Sequence, residues 1–600
     1  MALVTYKNTI KSFDFQCFLW TQYLGAFNDS AYKITLSLLV INVSPVPGSG
    51  GGCLSLIGAV FILPFVLFSG YAGYLADVFN KRSVLIVTKS LEIAAMSLGL
   101  IATLSGGVNF MMVVLFLMAL QSALFSPAKY GIVPEMFSDK DLSRVNGLME
   151  MTTFMAIILG TTVGSIMFSA WKDNLVYINL ILILIAVAGT ATSLRIPKVA
   201  YSGNKKPFRL NPWAEVIAGI RCLYAYKILF LTVLGISYFW FMGAMLQMVI
   251  ILFGKEILGL SDLLIGFLGT FMAVGIGIGS LVAGRLSGDK VELGLVPLGS
   301  IGMGLFSLCL SFSGSSYVQT AIVLSFLGFS GGLFIVPLNA LLQQKSNQDE
   351  KGRLIATSNF LSTIGILLAS GVLWLLQKHL PISADRIILI FGLLTIGATV
   401  YIMKKLPDFM IRFCLWMLTH TIYKIRIVGQ ENVPFHGPAL LVCNHMSFVD
   451  ALLVGSCVQR FIRFMIYKPY YDHRAFYWLF RLMRVIPYLS GDQKETLESI
   501  SRAREELRQG HVVCIFAEGT TSHIGNLPPF NSDFGKVVEG MNVPVIPVHL
   551  DGMWESVFSF KREKFFRKWP EKLLCPVTVS FGQPLPPFAT AQEVWQAVME

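Results

Sequence analysis

The sequence predicts a polytopic α-helical membrane domain of twelve spans followed by an α/β domain. Of the 600 residues, 54% are hydrophobic and 14% are charged, whereas about a quarter charged is usual in soluble proteins. Apolar stretches of membrane-spanning length recur up to residue 404, and after residue 425 short apolar strands alternate with helical segments. We therefore expect a membrane domain at 1–405, an interfacial helix and linker at 406–424, and the α/β domain at 425–600.

Twelve stretches come close to the ~20 apolar residues that cross a bilayer. They are 15–42, 54–77, 83–105, 108–132, 147–170, 174–195, 228–253, 263–285, 294–313, 317–342, 354–377 and 385–404. The longest of the basic loops between them, about 196–227, divides them into two sets of six. This arrangement predicts two helical bundles joined by a central loop.

Positive charge is concentrated in the membrane part of the chain. Residues 1–407 hold 27 lysines and arginines against 17 aspartates and glutamates, whereas residues 408–600 hold 20 against 18. The cations fall in alternate loops, for example Lys81 with Arg82 and the group at 195–209. The positive-inside rule places those loops in the cytoplasm, and an even number of spans places both termini and the α/β domain there as well. The charge excess thus indicates topology and not nucleic-acid binding.

The segments after residue 405 change in character. Segment 408–420 is apolar and aromatic, but Arg412 interrupts it, which is typical of an amphipathic helix at the membrane interface. Strands are predicted at 439–442, 461–466, 512–516, 543–549 and 577–581, with a charged helix at 494–508. The basic aromatic segment 560–569 is predicted to rest on anionic headgroups, and a solvated helix or loop is the alternative.

Two polar loops carry the chemistry of the α/β domain. His445 stands five residues before Asp450, directly after the apolar strand at 439–442. An imidazole whose second ring nitrogen is held by a carboxylate can remove a proton from a hydroxyl group. Glu518 and the two residues after it follow another apolar strand, at 512–516, and supply the second half of the predicted site.

These loops resemble the signature of the glycerolipid acyltransferases, the 1-acylglycerol-phosphate acyltransferases and their relatives. That family carries NHxSxxD and then PEGT at a strand end. Every fixed position of the first motif is present, while Ala517 replaces the usual proline. The resemblance implies acyl transfer from a thioester to a glycerol hydroxyl, with His445 as the general base and Asp450 orienting its ring.

The same resemblance assigns the other residues of the two loops. Asn444 and Ser447 are expected to hold either the turn or a lipid oxygen. Glu518, Gly519 and Thr520 are expected to form the acceptor pocket, where glycine lets backbone amides approach and the threonine hydroxyl donates to a phosphate or glycerol oxygen.

A cation that the family often places after this motif is absent, because positions 521–522 are threonine and serine. The absence favours a lysophospholipid with a substituted phosphate, such as lysophosphatidylethanolamine, over bare lysophosphatidic acid. Arg460, Arg463 and Lys468 either supply the positive charge instead or are solvated surface residues.

The loop at 73–82 resembles the major facilitator motif G-x-x-x-D-x-x-G-R-[KR], with Asn80 and Lys81 in place of the usual glycine and arginine. Together with the two sets of six spans, it implies a major facilitator fold. In such a fold Asp77, beside cations such as Arg82, latches neighbouring helices in one state of the transport cycle.

Segments 24–29, 125–135 and 146–150 further resemble the lysophospholipid transporter branch of that superfamily. A charge at membrane depth costs on the order of 3 kcal/mol and therefore tends to face a cavity. The candidates are Asp29, Lys33, Lys89, Glu92 and Lys129. We expect Asp29 and Lys129 to act in transport. The alternative is that Lys33 and Lys89 snorkel and that Asp29 pairs internally for stability, and this alternative is favoured for Lys89 and Glu92.

Both resemblances together imply a bifunctional protein of a bacterial inner membrane that flips a lysophospholipid inward and reacylates it. The expected partners are the lysophospholipid, membrane lipids, and acyl carrier protein or coenzyme A as the acyl thioester, with a separate acyl carrier protein synthetase as a further candidate. No cofactor is expected, and no metal, since the nine cysteines show no CxxC spacing. Two alternatives stay open: a membrane-anchored 1-acylglycerol-3-phosphate acyltransferase of de novo synthesis, or a transporter of another amphiphile with an inactive regulatory domain.

Overall fold

The computed structural model describes residues 12–43, 50–172, 174–199, 211–287, 291–314, 316–347, 349–380, 382–405, 415, 417–419, 421–434, 437–447, 449–458, 460–474, 477–489, 493–518, 529–530, 533–553 and 575–599. They form two compact units, Met1–Val400 and Tyr401–Glu600. Of the predicted interfacial helix and linker, only residues 415, 417–419 and 421–424 are described, and segment 560–569 lies outside the described residues.

The membrane unit is entirely helical in its described part. Its helices are α1 (Phe13–Val43), α2 (Gly50–Val78), α3 (Lys81–Ser105), α4 (Val108–Met136), α5 (Leu142–Trp171), α6 (Val176–Ser193), α7 (Pro212–Ala225), α8 (Lys227–Leu252), α9 (Asp262–Leu286), α10 (Leu295–Ser311), α11 (Tyr317–Lys345), α12 (Lys351–Lys378) and α13 (Ala384–Lys405). Each of the twelve predicted spans coincides with one of them.

Ten helices of the described chain are long and apolar enough to cross a membrane. The apolar helix α10 has 17 residues and is shorter than the others. Helix α1 has 31 residues and is long enough, but its polar residues, including Asp29 and Lys33, make its membrane-length stretches less apolar than those of the ten helices. The predicted membrane fold is confirmed, and polar residues in α1 are what a cavity-lining helix requires.

Helix α7 lies inside the predicted central loop and was not expected. Asn211 caps it by accepting a hydrogen bond from the Trp213 backbone amide at 3.0 Å, and Pro212 occupies the first turn. Both residues are ordinary helix-start signals. Its Glu215 accepts from Arg353 of α12 at 2.9 Å, so the helix is tied to the second bundle.

The α/β unit is built on one seven-stranded sheet in the order β1-β7-β6-β2-β5-β3-β4. The strands are β1 (Tyr423–Val428), β2 (Ala439–Cys443), β3 (Ile462–Tyr467), β4 (Ile486–Tyr488), β5 (Val512–Phe516), β6 (Val545–Asp551) and β7 (Cys575–Phe581). All pairings are parallel except β6 with β7. The five predicted strands are present, while β1 and β4, at the two edges, were not predicted as strands.

Strand β2 lies at the centre of the sheet and is buried along its whole length. Its side chains alternate between two cores: Leu441 packs with α14 (Asp450–Cys457), and Leu440 with α17 (Gln493–Arg508) on the opposite face. The other helices of the unit are α15 (Lys468–Tyr471), α16 (Tyr477–Leu482), α18 (Asp533–Val538) and α19 (Ala591–Met599). A continuous apolar strand buried on both faces is typical of parallel sheets, and functional loops gather at the carboxyl ends of such strands.

Candidate active site and transport cavity

His445 and Asp450 meet in the turn between β2 and α14. The Asp450 side chain is fully buried, and its Oδ2 atom lies 3.0 Å from Nδ1 of His445. The same oxygen accepts hydrogen bonds from the backbone amides of Met446 at 2.6 Å and Ser447 at 2.7 Å. The turn therefore wraps around the carboxylate. A proton on Nδ1 satisfies this contact and leaves Nε2 as an acceptor.

The imidazole of His445 is fixed from one side by an aromatic ring. Phe516, the last residue of β5, stacks on it with ring centres 4.4 Å apart and planes 27° apart. The His445 side chain is 21% exposed, so it is held firmly yet stays accessible from one direction. Sequence reasoning missed Phe516, although its position just before Ala517 and Glu518 places it at the same sheet edge.

Glu518 is tied to the main chain of the histidine. Its Oε1 atom accepts a hydrogen bond from the His445 backbone amide at 2.8 Å. Burial, with a smaller contribution from the nearby Asp450 charge, raises the pKa of Glu518 to about 7, against the lowering effect of the His445 amide. Its Oε2 atom is buried and makes no hydrogen bond with any described residue. Gly519 and Thr520, predicted beside it, lie outside the described residues.

Asn444 and Ser447 are engaged with the turn itself. The Asn444 side chain donates to the Leu550 carbonyl at 3.0 Å and accepts from the Leu550 amide at 2.7 Å, which joins the ends of β2 and β6. Ser447 is fully buried, and its hydroxyl accepts from the Val449 amide at 3.4 Å. These contacts agree with a turn-holding role, and binding of a lipid oxygen stays a prediction.

The three cations predicted as alternative phosphate ligands all bond to other groups of the α/β unit. Arg460 donates to the carbonyls of Pro434, Gly437 and Gly510 at 2.9, 2.6 and 2.5 Å. Arg463 is 2% exposed and bonds Glu506 at 3.0 Å, and Lys468 bonds Glu495 at 2.5 Å. Arg463 also pairs in register with Val513, near the start of β5 and away from the carboxyl edge. It is therefore neither a solvated surface residue nor placed to meet a phosphate near His445.

The described part of the chain contains no group of three or more His, Cys, Asp or Glu side chains able to hold a metal ion. The contact between the His445 ring and the buried Asp450 carboxylate is by itself suited to proton transfer, in which the ring accepts the proton and the carboxylate stabilises the cation.

A cavity of about 340 Å³ lies between the two bundles of the membrane unit. Four of the predicted membrane-depth charges line it, namely Asp29, Lys89, Glu92 and Lys129, together with apolar side chains such as Phe61. Lys33 is not among the lining residues, and its ammonium group lies 4.9 Å from the centre of the Phe61 ring.

These charges divide into a paired set and an available set. Lys89 is buried and forms an ion pair with Glu92, which also accepts from Asn28 at 2.9 Å. Lys89 therefore pairs internally and does not snorkel. Asp29 accepts from the Ser122 hydroxyl at 2.5 Å, and its Oδ1 atom makes no hydrogen bond with a described residue.

Lys129 is the cation left available in the described cavity. Its ammonium group lies 4.5 Å from the centre of the Tyr130 ring, and it makes no ion pair with a described side chain. Tyr130 in turn donates to Glu150 at 2.9 Å, which also accepts from Asn339 of the second bundle at 3.1 Å. Lys129 and Asp29 thus present one basic and one acidic side chain to the cavity.

Asp77 joins the two bundles at one end of the membrane unit. Its carboxylate accepts hydrogen bonds from the backbone amides of Gly352 at 2.6 Å and Arg353 at 3.2 Å, in the first turn of α12. Exposed amides at a helix start favour a negative charge there. Arg82 instead donates to the carbonyls of Leu194 and Ile196, at 2.8 and 2.6 Å, and so ties α3 to the chain just after α6.

Further polar contacts close the same interface between the bundles. Asn146 of α5 and Gln343 of α11 exchange hydrogen bonds at 2.7 and 3.1 Å, and Asn359 of α12 donates to Ser126 of α4 at 3.0 Å. A Cβ atom at Gly147 would lie 2.5 Å from the Ser280 carbonyl, so only glycine lets α5 and α9 approach this closely. The two bundles are in contact through α2, α4, α5 on one side and α9, α11, α12 on the other.

Comparisons with known proteins agree with both parts. The Major Facilitator Superfamily model matches residues 24–370, and the Acyltransferase model matches residues 424–551. The chain is 30% identical over 367 residues to the lysophospholipid transporter LplT of Cronobacter sakazakii, covering 60% of this chain and 88% of that protein. It is 31% identical over 363 residues to LplT of Photorhabdus laumondii, covering 60% and 87%.

Among solved structures, the transporter FucP in its outward conformation superposes with a TM-score of 0.54 at 15% identity, covering 65% of this chain and 97% of that one. This likeness supports the membrane fold. The chain therefore belongs to the Major Facilitator Superfamily, in the family of the LplT lysophospholipid transporters, and carries an acyltransferase domain after its membrane unit.

Proposed function

We propose that the protein moves a lysophospholipid, foremost lysophosphatidylethanolamine, to the cytoplasmic leaflet and there restores its second chain from an acyl thioester. The observation that carries the enzymatic half is the buried Asp450 carboxylate 3.0 Å from the His445 ring, at the carboxyl edge of the sheet. The similarity to the LplT proteins and the charged cavity support the transport half. The cytoplasmic position of the domain rests on the basic loops of the sequence.

In the acylation step, Nε2 of His445 takes the proton from the glycerol hydroxyl as that oxygen attacks the thioester carbonyl. The tetrahedral intermediate then collapses, the carbon–sulfur bond breaks, and the imidazolium returns its proton to the departing thiolate. Asp450 stabilises the imidazolium between these events, as a buried carboxylate does in other histidine sites. A positioned base of this kind contributes roughly 10² to 10⁴ to the rate.

Glu518 supports this step by holding the main chain of His445, and the residues after it are suited to meet the acceptor. No acyl-enzyme is needed, because the base activates the acceptor directly. The acyl donor is a thioester of acyl carrier protein or of coenzyme A, and the lack of an arginine at 521–522 favours a headgroup in which the phosphate is already substituted.

In the transport step, the cavity receives the headgroup between Asp29 and Lys129, which match the ammonium and phosphate of a zwitterion. Apolar lining residues such as Phe61 and Phe65 suit the acyl chain. Breaking the Asp77 contact with α12 accompanies the change of access. Acylation removes the delivered lysolipid and so draws transport inward.

The test is reconstitution of the full chain in vesicles that carry labelled lysophosphatidylethanolamine in the outer leaflet, with acyl carrier protein or coenzyme A thioester supplied to the acyltransferase side. His445→Ala should reduce acylation by about 10² or more and leave inward movement of the label unchanged. Asp29→Asn should slow inward movement without changing acylation of lysolipid added directly to the enzyme side.

A matched control is Glu498→Gln, which removes a carboxylate from an exposed ion pair on α17. It should change neither reaction. Equal acylation of lysophosphatidic acid, with no transport, would favour the anchored de novo enzyme. A silent His445→Ala would favour an inactive regulatory domain.

A further inference from the structure

Residues 467–480 of the α/β unit are unusually rich in aromatic side chains, with seven among fourteen residues. They include the last residue of β3, the short helix α15 and the start of α16. A segment of this composition normally contributes to a core.

Several of these aromatic side chains are instead exposed. The exposed fraction is 45% for Tyr467, 50% for Tyr470, 42% for Tyr477 and 64% for Trp478. We call these four residues, with Arg474 and Arg481, the aromatic surface. Tyrosine and tryptophan combine an apolar ring with a polar tip, which suits the boundary between water and lipid.

The aromatic surface has a packed base. Leu415, Met483 and Val485 form a buried cluster, and Tyr471 and Phe480 pack against it from the two helices. Leu415 belongs to the predicted interfacial segment, which follows the last membrane helix in sequence. Its described neighbours Met417 and Leu418 are 38% and 43% exposed. Leu415 of the interfacial segment therefore packs against the two helices that carry the aromatic surface.

Positive charge accompanies the aromatic rings. Arg474, Arg481 and Arg484 are exposed and form no ion pair with any described side chain, and Asp472 is the one acidic residue between 467 and 489. Arg484 has a φ of 48°, a left-handed conformation that an arginine rarely adopts. The backbone strain at this position would be absent with glycine, so a function of the Arg484 cation accounts for the arginine.

The aromatic surface also lies at the edge of the sheet that bears the candidate active site. Strands β2, β5 and β3 are parallel neighbours, so their carboxyl ends share that edge. Tyr467 ends β3, which is two strands from β2, and this corresponds to about 10 Å across the sheet.

We propose that the aromatic surface lies on a bilayer containing anionic phospholipid, with its rings at headgroup level and its arginines against the phosphates. The charge complements such a leaflet, and the rings suit its interface. This contact goes beyond the proposed reaction: it delivers the carboxyl edge of the sheet to the level of a lipid hydroxyl whatever the headgroup is.

The test uses the full chain in vesicles of phosphatidylethanolamine and phosphatidylglycerol, doped with a phosphatidylglycerol that carries a headgroup diazirine. After illumination, mass spectrometry maps the crosslinked peptides. Peptides within 467–484 should carry crosslinks. The double variant Arg474→Gln/Arg481→Gln should reduce them about fivefold or more, as expected for cations near an anionic surface. Trp478→Ser should reduce them as well.

The matched control is Arg502→Gln/Arg508→Gln, which removes two exposed arginines from α17 on the other face of the sheet. It should leave the crosslinks unchanged, and all three variants should keep full acylation in detergent micelles. Crosslinks absent from 467–484, or lost equally in the control, would overturn the proposal. So would unchanged crosslinks with a raised KM for an acyl carrier protein thioester, because the surface would then bind the donor protein.

Discussion

Replacing Asp450 with asparagine tests the catalytic arrangement most directly. The carboxylate oxygen Oδ2 has three partners: the Met446 amide, the Ser447 amide and Nδ1 of His445. The amide oxygen of asparagine can keep the two backbone contacts, so the turn should survive. The ring of His445 loses its negative partner, and with it the stabilisation of the imidazolium that forms during the reaction.

The size of the effect follows from the contact that is lost. A hydrogen bond to a charged group contributes about 1.5 to 3 kcal/mol, and the carboxylate is fully buried, so water does not replace it. At about 1.4 kcal/mol per tenfold change in rate, this predicts a loss of roughly 10- to 150-fold in kcat. KM for the acceptor should change little, since Asp450 does not face the substrate.

The assay is transfer of a labelled acyl chain to lysophosphatidylethanolamine by the full chain in mixed micelles. Glu498→Gln, with the same chemical change at an exposed position, should keep wild-type kcat. A kcat within twofold of wild type for Asp450→Asn, in a protein with unchanged thermal unfolding, would refute the assignment of His445 as a base oriented by this carboxylate.

Three further predictions concern other residues. The pKa of Glu518 is raised to about 7 from an ordinary 4.5, so between these two pH values the folded state binds a proton that the unfolded state has released. Stability should therefore fall as the pH rises from about 4.5 to about 7. Glu518→Gln should lessen this fall, measured as Tm against pH. Asn444→Ala removes two buried hydrogen bonds to Leu550 and should destabilise the α/β unit by about 1 to 3 kcal/mol. The measurement is denaturant unfolding of the full chain. The comparison variant is Asn432→Ala, which removes one hydrogen bond at the sheet edge. Asp77→Asn should lower the population in which α2 contacts the start of α12 by roughly fivefold. Distances between spin labels at the ends of α2 and α12 measure this population. An unchanged distance distribution would count against a latch.

The membrane helices were predictable because their signal is local. An apolar run of about 20 residues has few other uses, and each predicted span corresponds to a helix. Helix α7 was missed since it is short and lies in a basic loop, although Asn211 and Pro212 mark its start. The edge strands β1 and β4 lack the long apolar run that reveals a central strand such as β2.

The candidate site was predictable in part for the same reason. His445 and Asp450 are close in sequence, and the start of α14 brings the carboxylate back to the ring, so their contact follows from local geometry. The partner of Asn444 lies 106 residues away in β6, and the ion pairs of Arg463 and Lys468 also depend on strand and helix placement. Contacts of this kind are set by tertiary packing and leave no local pattern in the sequence.

In the proposed reaction, the hydrogen bond from the His445 amide to Glu518 connects the selection of the acceptor with its activation. The segment that begins at Glu518 is also the one expected to touch the acceptor headgroup. A shift of Glu518 would therefore move the backbone of His445 as well. An exchange of this segment for one adapted to a different headgroup would reset the imidazole at the same time. We therefore expect a change of lipid preference in this domain to come with changes in both loops together.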